Sequence, residues 1–293
     1  MTTMTNDVNS QEDHSKRNLT IHRVICYIVL ILLTILCLFF FYVLIINSTR
    51  SNSEISKGFS WLPGSSFFIN LQNLLSDPNL PVLSGIWNSL FIAFCSAALT
   101  IYVSALTAYG IYMYDFKLKK YAYTFIMMVM MIPNQVMTLG FLNLLNKMGL
   151  MDSFIPLIIP SMAAPVVFYF MMSYMQSNLA KSIVEAARID GCGEFRTFNT
   201  IVLPIMKPAL AVQAIFAFVA SWNNYFVPSL VLKTDTKKTL PILIAQLRSA
   251  DFLKFDMGKV YMMIVIAIVP VAIVYLCLSK FIIKGVTAGS VKG

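Results

Sequence analysis

Charge is what this 293-residue chain has least of. Asp, Glu, Lys and Arg make up 12% of it, hydrophobic residues 58%, and the mean hydropathy is +0.75. Soluble domains carry about 25% charged residues, so the deficit excludes an ordinary soluble fold and points to an integral membrane protein. Histidine is almost missing: His14 and His22 both sit in the N-terminal region, far from any partner ligand. No metal site and no catalytic residue can be assembled from them. Cys26, Cys37, Cys95 and Cys277 lie inside apolar runs and Cys192 in a polar loop, without CxxC or metal-ligand spacing. That pattern assigns all five to packing. There is no Walker-type phosphate loop, no GxGxxG and no clear internal repeat, so the chain has no visible means of hydrolysing ATP. The formal charge of +9 would suit nucleic acid. The basic residues cluster at the ends of apolar runs instead, as membrane topology requires, which argues against nucleic-acid binding.

What is present is a series of apolar runs. They predict an all-α integral membrane protein with six transmembrane helices over about 24–46, 86–110, 122–145, 154–175, 209–232 and 257–279. Each run is long enough to cross about 30 Å of hydrocarbon. Residues 1–20 are polar and read as a disordered tail, with the cytoplasmic N-terminal region taken to residue 23. The first run is too long for a secretory signal and no Ala-x-Ala follows it, so it reads as a retained anchor. A segment with turn signals at Pro63-Gly64 and Asp77-Pro78 follows, and Phe67–Leu75 within it is expected to be a short surface helix. Pro133, Pro156, Pro160, Pro165 and Pro228 are expected to mark kinks. Six spans place both termini on one side, and residues 281–293 form a cytoplasmic C-terminal tail. Lys and Arg favour N-terminus inside, although Lys233, Lys237, Lys238, Arg248, Lys254 and Lys259 in the last external loop weaken the bias.

The centres of the six runs contain no Asp, Glu, Lys, Arg or His. Ion-coupled transporters and voltage sensors usually need ionisable groups there. Neutral polarity appears instead: Asn134 and Gln135 after Pro133, Gln213, and Trp222, Asn223, Asn224 and Tyr225 before Pro228. Amides and rings suit uncharged, hydroxyl-rich solutes, because amides donate and accept while rings cover sugar C–H faces. Two alternatives stay open. Asn134 and Gln135 equally suit helix–helix packing, and Trp222–Tyr225 an aromatic anchor at the membrane surface. The methionines of the third run (Met127, Met128, Met130, Met131, Met137) read as adaptable packing.

The long polar insert is 177–208, SNLAKSIVEAARIDGCGEFRTFNTIVLPIMKP. It reads as two short helices, Asn178–Asp190 ended by Gly191, and Glu194–Val202 broken by Pro204 before the next apolar helix begins near Pro208. Leu179, Ile183, Ala186 and Ala187 fall on one face of the first, and two adjacent alanines bring no bulk. The pair looks like a docking knob; a helix lying on the lipid surface is the other reading.

Glu185-Ala186-Ala187, then Asp190-Gly191, then Ile201, Leu203-Pro204 and Pro208, resemble the cytoplasmic "EAA" loop of ATP-binding-cassette (ABC) importer permeases. The ending FIIKGVTAGSVKG and Asn88-Ser89-Leu90 resemble carbohydrate-importer permeases, specifically the second, MalG-like, membrane subunit of maltose-type systems. The resemblance covers the chain from about residue 60 onward. It implies the type I ABC importer permease fold in a bacterial or archaeal plasma membrane. It implies a sugar or oligosaccharide as solute, with a permease for phosphate or amino acids, or a non-transporting scaffold, as rivals. Implied partners are a homologous six-span permease, two cytoplasmic ATPase subunits that hold ATP and Mg, and an extracytoplasmic solute-binding protein facing Lys233–Asp256. Implied coupling residues are Glu185 (anchor), Ala186 and Ala187 (close seating), Asp190, Gly191 (turn), and Leu203 and Pro204 (junction to the fifth span). No cofactor is expected on this chain.

Overall fold

The computed structural model describes the backbone over residues 2–248 and 256–290, with side chains over 20–133, 136–248 and 256–279. Every regular element among the described residues is a helix. In chain order they are α1 (Thr2–Ser48), α2 (Asn52–Ser56), α3 (Phe67–Leu75), α4 (Val82–Met113), α5 (Lys119–Val129), α6 (Asn134–Met148), α7 (Ile155–Ile158), α8 (Pro165–Asn178), α9 (Lys181–Ile189), α10 (Glu194–Thr197), α11 (Leu203–Trp222), α12 (Phe226–Val231), α13 (Leu240–Arg248) and α14 (Met257–Ser290). They form two units, Met1–Leu71 with Asp256–Val265, and Gln72–Phe255 with Ile266–Gly293.

In the first unit, α1 starts at Thr2, where the sequence suggested a tail without structure. No glycine or proline precedes Gly58, so nothing stops the helix of the apolar run from extending backward. Ser51 and Glu54 close a capping box on α2: Ser51 Oγ accepts from Glu54 N, and Glu54 Oε2 from Ser51 N at 2.8 Å. Asn52 Oδ1 accepts from Met257 N at 3.0 Å, which seats the start of α14. Asn70 Nδ2 donates to Ser48 O and Arg50 O, both at 2.9 Å. Gly258 is needed beside it, because a Cβ there would lie 2.6 Å from Asn70 Oδ1.

The second unit is built around α4. Its buried face is small: Ser89, Ala93, Ser96, Ala97, Thr100, Ser104, Ala105 and Ala108. Small residues let α8 and α11 approach closely, as helices in lipid require. The expected fourth span is not one helix but α7, a 3₁₀ turn over Ile159–Met162, and α8. Pro165 has no N–H to give to Ser161 O; Thr100 Oγ1 donates to that carbonyl at 2.8 Å instead. Ser96 Oγ donates to Leu157 O at 3.2 Å, and Ser161 Oγ returns a bond to Ser96 O at 3.1 Å. Irregular backbone is tolerated in lipid only where such partners exist.

Among the described residues, five helical stretches are long and apolar enough to cross a membrane: Thr20–Ser48, Val82–Met113, Ile155–Asn178, Glu194–Val231 and Met257–Ser279. The expected span over 122–145 departs from this, being split into α5 and α6 at Met130–Pro133. Pro133 ends continuity because a residue before proline is driven out of the helical region. The expected fifth span is interrupted between α11 and α12 at Asn223–Tyr225. α14 carries its helix on to Ser290, through most of the expected C-terminal tail. Cys26, Cys37 and Cys277 are exposed and Cys95 and Cys192 half-buried, so none of the five sits in a buried core among the described residues.

Candidate functional site

The polar insert is a helix pair, and its geometry begins at Gly191. Gly191 has φ 76°, the left-handed conformation that glycine adopts without a Cβ clash. Its N–H bonds to Arg188 O at 3.0 Å, and Cys192 N to Ala187 O at 2.9 Å. Those two bonds form a Schellman motif and satisfy the last carbonyls of α9. The chain then enters α10 at Glu194, whose carboxylate suits a helix start. The break expected at Pro204 is absent. A π turn over Phe198–Val202 leads straight into α11, with Leu203 N reaching back to Phe198 O. The wider turn takes up the ring and the missing N–H of Pro204, so the knob and the membrane helix are continuous.

Burial divides the residues of the knob into two faces. Leu179, Val184, Ala187, Phe198 and Val202 are turned into the chain's own core. Ala187 is 6% exposed, so its small side chain faces the interior of this chain. Glu185, Ala186, Asp190 and Gly191 are exposed. Beside them stand three apolar side chains in the open: Ile183 at 41%, Ile189 at 87% and Phe195 at 69%. Leu203 is half-buried and Pro204 exposed at the junction.

The knob is fastened to α4 by a row of tyrosines. Tyr109 OH donates to Glu194 Oε2 at 2.8 Å, while Arg188 Nε donates to Glu194 Oε1 at 2.6 Å. The Arg188 guanidinium lies 5.2 Å from the centre of the Tyr114 ring, a cation–π distance. Tyr112 OH donates to Leu179 O at 3.0 Å, and Lys181 stands over the Tyr112 ring at 5.4 Å. The rings of Tyr102 and Tyr109 pack on Phe198. The Glu194 carboxylate raises Arg188 above its ordinary value, and burial followed by the same carboxylate raises the Tyr114 phenol. Sequence reading missed Tyr102, Tyr109, Tyr112, Tyr114 and Glu194. The faint signals were tyrosines seven and three residues apart on one helix face and opposite charges flanking Gly191.

Among the described residues, the neutral polar candidates differ in burial. The side chains of Asn134 and Gln135 lie outside the described residues. Gln213 is buried within α11. Trp222 is 2% exposed, stacks on Phe218 at 5.9 Å and donates from Nε1 to Ala267 O at 3.2 Å. Its ring therefore packs inside this chain. Asn223, Asn224 and Tyr225 are exposed beyond it.

A second ordered site links two loops. Asp152, at φ 59°, accepts from Lys233 N at 2.9 Å, Thr234 N at 3.0 Å and Thr234 Oγ1 at 2.7 Å on Oδ1 and Oδ2, and from Lys237 Nζ at 3.0 Å. Those bonds, the Thr234 hydroxyl first, hold its carboxyl well below the usual carboxylate range. Asn88 Nδ2 donates to Thr236 O and Lys238 O, and Ser89 Oγ accepts from Leu240 N at 2.8 Å. The strap 233–240 is thus pinned to α4 and to the α6–α7 connection.

Residues 100–287 match the family described as binding-protein-dependent transport system inner membrane component. The arabinooligosaccharides transport system permease protein AraQ of Bacillus subtilis (strain 168) is 31% identical over 280 residues, covering 94% of this chain and 97% of AraQ. The trehalose/maltose transport system permease protein MalG of Thermococcus litoralis is 31% identical over 280 residues, covering 94% of this chain and 99% of MalG. The fold is that of a subunit in the crystal structure of a bacterial ABC transporter involved in import of the acidic polysaccharide alginate (TM-score 0.77, 21% identity, 89% of this chain and 96% of that one). The chain belongs to the binding-protein-dependent transport system inner membrane components: it is a multi-pass membrane permease subunit of an ABC importer, a family whose permeases are not themselves enzymes.

Proposed function

We propose that the chain imports a sugar or oligosaccharide, driven by ATP that a separate pair of cytoplasmic ATPase subunits binds with Mg and hydrolyses. Its other partners are a homologous permease, which completes the path, and an extracytoplasmic binding protein, which delivers the solute over the strap 233–240. Six membrane crossings, with α5 and α6 together making the third, put both termini and the α9–α10 knob in the cytoplasm.

One observation carries this reading: an exposed apolar patch, Ile183, Ala186, Ile189 and Phe195, stands on a helix pair fixed rigidly to membrane helices. Glu185 and Asp190 frame the patch with charge for the ATPase groove. When the ATPase pair closes, a knob hinged on a soft loop would absorb the motion. Here the Arg188–Glu194–Tyr109 bonds and the continuous path through the π turn pass it to α4 and α11. The interior carries no countercharge for an ionic solute, and named relatives are arabinooligosaccharide and trehalose/maltose permeases, which supports a neutral sugar. The test is uptake by the assembled complex in proteoliposomes. Oligosaccharides should enter only with the binding protein and ATP present. Entry of phosphate or amino acids in their place, or of any solute without the ATPase, would end the proposal.

A further inference from the structure

The segment after α1 turns back along the helix. Arg50, 7% exposed, staples its base: Nη1 donates to Asn47 Oδ1 at 3.1 Å and Gly58 O at 2.9 Å, and Nη2 to Glu54 O. At the other end Gly64 N donates to Thr49 Oγ1 at 2.9 Å, and Ser66 N to Thr49 O at 2.8 Å. Gly64 approaches so closely that a Cβ would sit 2.6 Å from Thr49 O. Between these staples, Tyr42 OH donates to Trp61 O. The Trp61 ring lies 6.1 Å from Phe39 and 6.0 Å from Tyr42, and Phe59 lies 5.8 Å from Phe39 and edge-on to Trp61 at 4.8 Å. The outer side stays open, with Phe59 at 53%, Trp61 at 66% and Leu62 at 75% exposure.

Depth identifies what surrounds it. The apolar run of α1 ends at Ile46, and Asn47, Ser48, Thr49 and Arg50 follow. Tyr42 and Phe39 precede Ile46 by about 6 and 10 Å along the axis, at 1.5 Å per residue. Helical side chains lean toward the N-terminus, which carries both rings further in the same direction. Among the described residues, none of the apolar window of α1 is buried. Tryptophan and tyrosine favour the membrane–water boundary, and apolar faces bound there sink about 5–10 Å.

We propose that residues 58–64 form a stapled aromatic hook whose Phe59, Trp61 and Leu62 insert into the headgroup–acyl boundary of the phospholipid bilayer, at the face where α1 ends. The staples remove the ordering cost that a flexible loop would meet on insertion, and the hook fixes the depth of α1. It requires only that α1 crosses the bilayer, whatever solute the transporter carries.

The test places the full chain, assembled with its partner subunits, in nanodiscs of phosphatidylcholine brominated near the headgroup or near the acyl ends. Trp61 is read as the emission lost between Trp87→Phe and Trp87→Phe/Trp61→Phe, with buried Trp222 common to both. Trp61 should emit to the blue of a water-exposed indole and be quenched more by the shallow bromines than by the deep ones. Emission typical of water and untouched by bromine would put the segment in solvent and overturn the proposal. Blue emission that neither lipid quenches would overturn it in favour of a protein neighbour, and stronger quenching by the deep bromines would overturn the stated depth.

Discussion

Ala186 and Ala187 are adjacent and chemically identical, yet α9 turns one outward and the other into the core. A helix rotates about 100° per residue, so neighbouring positions rarely share a surface. Ala187 is 6% exposed beside Val184 at 0%, and a carboxylate placed there would be desolvated without a partner. Ala187→Glu is expected to cost a few kcal/mol of stability, on the order seen for buried unpaired charges, and to lower the amount of folded chain in the membrane. Ala186→Glu meets no such penalty. It should leave thermal stability and membrane insertion near wild type while abolishing copurification of the ATPase. Size-exclusion profiles in detergent and ATPase pull-down, run on both variants, separate the two effects. Equal behaviour of the pair would show that burial does not divide their duties.

At the scale of elements, the strap 233–240 depends on Asp152, a non-glycine residue held in the left-handed region, a conformation that asparagine and aspartate tolerate best. Because its folded-state carboxyl titrates below the unfolded value, the strap is stabilised above pH of about 4, the ordinary Asp pKa. That contribution falls away as pH drops further toward the folded pKa. Amide exchange of Lys233 and Thr234 should therefore accelerate as pH falls below about 4, beyond the intrinsic pH effect, and Asp152→Asn should show fast exchange at every pH. Unchanged protection across that range in the native chain would remove Asp152 as the fastener. Little of this was legible in advance. Gly191 and α3 were readable because a left-handed turn and a short apolar helix are local events. The Asp152 bonds span 81 to 85 residues and the Tyr109–Glu194 bond 85, and no periodicity reports pairings of that range. The inward turn of Ala187 was not legible for a related reason: amphipathic spacing gives a face but not what lies against it.

The whole molecule turns on how broken helices cross a membrane. Apolar length alone announced spans over 122–145 and 154–175, and proline positions announced kinks, but hydropathy does not say how the freed carbonyls are satisfied. Thr100 and Ser96 on α4 perform that task for the α7–α8 break, which makes α4 the strut for both the broken span and the knob. If α5 and α6 jointly complete a crossing, the α4–α5 connection and the knob face the same side, and the α6–α7 connection and the strap face the other. Single cysteines in a cysteine-free chain test this arrangement. With a membrane-impermeant maleimide, Lys117→Cys and Ile189→Cys should label only in inverted vesicles, whereas Lys147→Cys and Thr236→Cys should label in intact cells or spheroplasts. Labelling of Lys147→Cys on the same side as Lys117→Cys would mean that α5 and α6 form a re-entrant hairpin. The count would then be five crossings, the N-terminus would lie opposite the C-terminus, and the knob would no longer share a side with the α4–α5 connection.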